Sequence, residues 1–116
     1  MDETIRVLNE LMWKRRELID ASINECLSGG LNKIEDMWLM LTIAKRTKDK
    51  KFVDYAASTM TVLKYDREDV RSAARAIISE IERLKDNTEL YSELEAKARR
   101  EFYDLLAKCL SEKLPF

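Results

Sequence analysis

The chain has 116 residues, and its 21 lysines and arginines and 22 aspartates and glutamates give a net charge of −1. A chain of this length is expected to fold as one domain, residues 1–116, with a core that needs no metal. Two glycines, one proline and 37% charged residues favour a helical protein and exclude disorder or a β-rich fold. The absence of histidine excludes serine–histidine and cysteine–histidine catalysis.

The first predicted helix runs from about Glu3 to Leu27 and ends at the Gly29-Gly30 pair, since glycine commonly terminates helices. Its apolar stripe consists of Ile5, Leu8, Leu11, Met12, Leu18, Ile19, Ile23 and Cys26. Arg15 interrupts this stripe, and Trp13 lies on the opposite side of the helix. We expect the stripe to face the core.

The second predicted helix, near 33–46, is the expected centre of the fold. Its apolar residues lie on nearly every side, which is typical of a helix buried within a bundle. The cations at its end are Lys45, Arg46, Lys48, Lys50 and Lys51. Cations at this position complement the partial negative charge of a helix C-terminus. The alternative is a loop that binds the phosphate groups of nucleic acid.

Three further helices complete the predicted fold. The third follows Asp49 as its cap and runs to about Lys64, and the fourth is capped by Asp66. The fifth covers about Glu89 to Lys113. We therefore predict an all-α protein, a compact bundle of about five helices with a largely up-and-down arrangement.

Three charged residues turn toward the predicted core: Arg15, Glu80 and Glu101. A buried charge needs a partner, and Arg15 and Glu101 lie midway along helices that we expect to run parallel. We therefore predict a buried structural ion pair between them. The alternative is a carboxylate metal enzyme that uses Glu80 and Glu101. Because no motif supports that chemistry, we expect no catalytic residue, no metal and no cofactor.

The two cysteines, Cys26 and Cys109, both lie on apolar helix faces. We expect a cytoplasmic protein, because neither a signal peptide nor an apolar run of membrane length is present. Free thiols are the expected state in that compartment. A disulfide is the alternative, since two parallel helices would place both cysteines near one end of the bundle.

Surplus apolar surface is the main candidate for function. The fifth helix has a second apolar strip away from its core face, and clusters of exposed aromatic and leucine residues mark association sites. The predicted interface consists of Trp13, Tyr103, Leu106, Leu110, Leu114 and Phe116. The opposing interpretation is that the fifth helix uses both sides for the core.

These patterns predict a non-enzymatic helical interaction protein or accessory subunit. It would self-associate or dock onto a protein partner. The alternative function is a nucleic-acid-binding module or nucleoprotein subunit that uses the basic loop at 45–51.

Overall fold

A computed structural model describes residues 2–60 and 67–115. This part of the chain is helical and contains no strand, which confirms the predicted all-α class. The helices are α1 (Asp2–Cys26), α2 (Asn32–Thr47), α3 (Lys50–Met60), α4 (Glu68–Leu84) and α5 (Tyr91–Lys113). The packed body contains four helices, α2 to α5, and not the predicted five.

The glycine pair ends α1 as the sequence predicts. The chain passes from α1 to α2 through a kink at Leu27–Leu31. Gly30 is buried there with φ 120°, a conformation that side-chain-bearing residues rarely adopt. The direction of α1 relative to the body is therefore set by a glycine.

The basic loop separates α2 from α3. Lys48 adopts a left-handed conformation with φ 56°, and its backbone N–H donates to the Ala44 carbonyl at 2.7 Å, which closes the end of α2. Asp49 accepts a hydrogen bond from the backbone N–H of Lys51 at 2.9 Å, so it caps α3 as predicted. The other predicted cap, Asp66, lies outside the described residues.

The core lies along one face of α2. Ile34, Met37, Leu41 and Ala44 have no exposed surface and pack with residues of α3, α4 and α5. The opposite face is open, since Leu39 is 48% exposed. The prediction of a central helix is therefore correct, but burial on every side is wrong, because Leu39 and Ile43 are exposed.

The molecule is elongated, and the prediction of a compact bundle is wrong. Its principal extents are 63 × 31 × 16 Å and its radius of gyration is 18.0 Å, against about 13 Å for a compact domain of this length. The reason is α1, in which every residue from 2 to 18 is exposed. The first buried residue of this helix is Ser22.

The last turns of α1 hold it to the body. Cys26 forms a disulfide with Cys109 of α5, with 6.1 Å between their Cα atoms, and both residues are buried. Lys113 of α5 donates to the Glu25 carboxylate at 2.9 Å. The structure thus has the bridge and not the expected free thiols. Because the contacts involve the C-terminal part of α5, α1 does not lie along the length of that helix.

Candidate functional site

The main apolar surface outside the core lies on α1. We call five of its residues, Ile5, Leu8, Leu11, Met12 and Leu18, the α1 stripe. Their side chains are between 39% and 64% exposed. The stripe was predicted to face the core, and that prediction is wrong because the body contacts only the end of the helix. Exposed clusters of large apolar side chains of this kind mark association sites.

Charged residues of α1 form ion pairs within the helix, beside the α1 stripe. Arg6 pairs with Glu3 at 2.6 Å and lies 3.6 Å from Glu10, contacts one helical turn apart. The guanidinium of Arg16 lies 5.7 Å from the ring centre of Trp13, a cation–π geometry. Trp13, a predicted interface residue, is 62% exposed and lies on the side of α1 opposite most of the stripe.

The predicted interface on α5 offers less free surface than expected. Tyr103 is 51% exposed, but its ring packs at 5.5 Å from Trp38 and 5.3 Å from Phe102. Leu106 and Leu110 are half-buried and pack against the core. Of the last two residues of the predicted interface, Leu114 is half-buried and Phe116 lies outside the described residues. Much of this strip therefore contributes to the body, as the opposing interpretation held.

The cations of the basic loop are all exposed, but two of them have carboxylate partners. Lys45 lies 3.8 Å from Glu95, and Lys50 lies 3.3 Å from Asp86. The other three are Arg46, Lys48 and Lys51, and Lys51 packs over the ring of Phe52 at 5.4 Å. The loop therefore presents less net positive charge than its sequence indicates.

The predicted buried pair of Arg15 and Glu101 is wrong. Arg15 is exposed, because its segment of α1 projects away from the body. Glu101 instead pairs with Lys97, one turn earlier on α5, at 3.0 Å. Glu80, the other inward-turned carboxylate of the prediction, pairs with Arg83 on its own helix.

Glu95 is the buried carboxylate that the sequence reasoning missed. Its side chain is 6% exposed and accepts from Arg99 at 2.9 Å, with Lys45 also near. One carboxylate oxygen, Oε2, is buried without a hydrogen-bond partner among the described residues. The sequence carried a signal, since Glu95 lies seven residues before Phe102 and so on the buried face of α5.

A second ionic cluster joins the start of α4 to the end of α5. Arg67 donates to Asp69 at 2.8 Å and lies 3.6 Å from Glu112, while Lys108 lies 3.4 Å from Asp69. The hydrogen bond from Arg67 is the main cause that holds the pKa of Asp69 at about 2. Arg67 also lies 3.8 Å from the sulfur of Cys109, so this cluster borders the disulfide.

The described residues contain no group of three or more carboxylates or cysteines placed to hold a metal ion. Within the same ranges, no helix has the length and apolar character that crossing a membrane requires. The chain matches no family model, and neither curated proteins nor solved structures include a significant match to it. The α1 stripe is the main candidate for a binding site among the described residues.

Proposed function

We propose that this protein is a non-enzymatic helical interaction protein that binds through the α1 stripe, either to a second copy or to a protein partner. The observation that carries the proposal is the position of the stripe. It lies on a helix of 25 residues whose first 17 residues are all exposed. An apolar face on a projecting helix is the arrangement used by helices that pack against another chain.

Burial of the stripe would supply a substantial free energy. Full burial of a leucine, isoleucine or methionine side chain is worth about 1.5–3 kcal/mol. Burial of the exposed parts of these five side chains would therefore contribute about 4–8 kcal/mol. Most of the stability of a protein helix comes from packing of its apolar face, so a partner that covered the stripe would also stabilise α1.

This proposal moves the expected interface from α5 to α1. Trp13 of the predicted interface is exposed on the same helix, on the side away from the stripe. On α5 the exposed predicted residue is Tyr103, which the Trp38 and Phe102 rings hold against the body. We assign α5 a supporting role, in which it anchors α1 through Cys109 and Lys113.

Nucleic-acid binding through the basic loop stays a prediction with less support. Each phosphate contact needs a cation that is not already neutralised. Glu95 and Asp86 partly neutralise Lys45 and Lys50. That leaves three cations, which is few for a nucleic-acid-binding surface on a protein of net charge −1.

Site-specific photo-crosslinking in the cells that produce the protein tests the proposal. A photoreactive phenylalanine analogue at Leu11 samples the stripe, and the same analogue at Glu17 samples the outer side of the helix. We expect a discrete crosslinked species from Leu11, mapped to one peptide of one protein, that disappears when Leu8→Glu is added. Equal crosslinking from Leu11 and Glu17, or crosslinking that survives Leu8→Glu, would contradict the proposal.

A further inference from the structure

The α1 stripe belongs to a seam with the spacing of a coiled coil. Seven positions of α1 follow one another at alternating steps of three and four residues: Ile5, Leu8, Met12, Arg15, Ile19, Ser22 and Cys26. This spacing places them on one face of the helix. The body covers the last two, which are buried, while the first four are exposed. The seam that packs on α5 therefore continues outward along exposed positions that offer room for a neighbouring helix.

We propose that the neighbour is α1 of a second copy of this chain, packed antiparallel along the exposed part of the seam. The inference rests on the proposed function, and it names the partner of the same surface. Coiled-coil seams favour a helix with matching spacing, and a second α1 carries the same spacing. The two copies would be related by a two-fold axis, as in most homodimers.

Arg15 decides against a parallel pair. In a parallel pair, equal seam positions meet, and the two Arg15 side chains would face each other inside the seam. Like charges at that position are unfavourable. In the antiparallel register that fits the spacing, Arg15 of each copy lies opposite Ile5 of the other, and Leu8 lies opposite Met12. The two arginines are then at opposite ends of the contact.

Charges beside the seam also fit the antiparallel pair. The first nine residues of α1 contain Asp2, Glu3 and Glu10 with one arginine, whereas Lys14, Arg15 and Arg16 follow in one run. The antiparallel register brings Arg16 of one copy beside Asp2 of the other, twice in the dimer. A parallel pair sets Arg16 beside Leu11 and makes no such ionic contact.

The extent of the contact predicts its strength. Residues 2–18 overlap over about 25 Å at 1.5 Å per residue. The surface area that two helices bury over this length lies near the lower limit for a specific protein–protein interface. We therefore expect a dissociation constant of about 10–100 μM, in the range of reversible association.

Sedimentation velocity of the full-length protein from about 5 to 500 μM tests this inference. We expect a monomer–dimer equilibrium that Leu8→Glu abolishes. Val7→Glu is the matched control, because it makes the same change at an exposed residue beside the seam, and it should keep the dimer. Circular dichroism should show unchanged melting of the body for both variants, since both residues lie in the exposed part of α1.

A charge exchange tests the orientation. Arg16→Asp should weaken the dimer about tenfold, because each Asp would lie beside Asp2 of the other copy. The double variant Asp2→Arg with Arg16→Asp should return the affinity to within about threefold of the original. A parallel pair gives no such restoration, and that result would overturn the antiparallel arrangement.

The outcomes separate this inference from the proposed function. A protein that stays monomeric at every concentration overturns the second copy as partner, as does a dimer that Leu8→Glu leaves intact. The photo-crosslinking at Leu11 then decides independently whether another protein occupies the stripe. If that crosslink is also absent, the proposed function fails as well.

Discussion

At the scale of single residues, Asp69 is a carboxylate whose ionised form the fold stabilises. Its side chain is 20% exposed and its pKa lies at about 2, against an ordinary value of 3.8. A carboxylate with a depressed pKa stabilises the fold at a pH above its ordinary value. This contribution is lost as the pH falls from about 4 to 2. We predict that Asp69→Asn lowers the free energy of unfolding at pH 7 by about 1–2 kcal/mol.

The same substitution should flatten the acid limb of the stability curve, measured by denaturant unfolding at pH 7, 4 and 2.5. Glu68→Gln is the control. Glu68 also forms an ion pair with an arginine, Arg71, but its side chain is 65% exposed. Glu68→Gln should lower the free energy of unfolding clearly less than Asp69→Asn does, since exposed ion pairs contribute little to stability. Equal losses for the two variants would contradict the role of Asp69.

Residue-level prediction from the sequence failed where it depended on the position of a whole helix. Arg15 was assigned to the core because it lies among apolar residues, yet α1 projects and Arg15 is exposed. Glu95 was missed although it shares the face of Ala98 and Phe102. Periodicity states which residues share a face. It does not state which face a neighbouring helix covers.

At the scale of elements, the Cys26–Cys109 bridge fixes α1 to α5. The two cysteines are 83 residues apart in sequence, and closing so long a loop in the unfolded chain removes much of its entropy. We predict that replacing both cysteines with alanine lowers the free energy of unfolding by about 4 kcal/mol. Guanidinium unfolding followed by circular dichroism measures this change, and the double replacement leaves no unpaired thiol.

Reduction provides the control for this prediction. Dithiothreitol should shift the unfolding midpoint of the original protein toward that of the variant and leave the variant unchanged. The loosened end of α1 should also become more sensitive to proteolysis near Glu25, because it would lose its covalent link to α5 and keep only noncovalent contacts such as the Lys113 pair. If dithiothreitol leaves the unfolding midpoint of the original protein unchanged, the bridge is not formed in solution.

The helices themselves were predictable from the sequence, and their packing was not. The Gly29-Gly30 pair correctly predicted where α1 ends. Asp49 was correctly predicted as the cap of α3. The predicted fifth helix, about Glu89 to Lys113, agrees with α5 at Tyr91–Lys113. The α1 stripe looks like a core face in sequence, since a face that binds another chain has the same pattern as one that packs within its own chain.

At the scale of the whole molecule, the elongated shape follows from one helix. The body of α2 to α5 contains a continuous core, whereas α1 extends the molecule to 63 Å. The direction of that extension is set by the Gly30 conformation and by the bridge to Cys109. A helix fixed in direction loses less conformational freedom on binding than a mobile one, which favours association.

The shape gives a last prediction for solution scattering. Two copies of 63 Å that overlap along about 25 Å of α1 would form a dimer about 100 Å long with a body at each end. Small-angle X-ray scattering at high protein concentration should show this maximum dimension and a two-lobed distance distribution. The physical reason is that antiparallel pairing of the projecting helices separates the two bodies.

The Leu8→Glu variant is the control for the scattering experiment. As a monomer it should keep a radius of gyration near 18 Å at every concentration. A dimer with a maximum dimension close to that of the monomer would mean that the two bodies pack side by side. The α1 helices would then fold over the partner's body instead of pairing with each other, and the antiparallel α1 contact would be wrong.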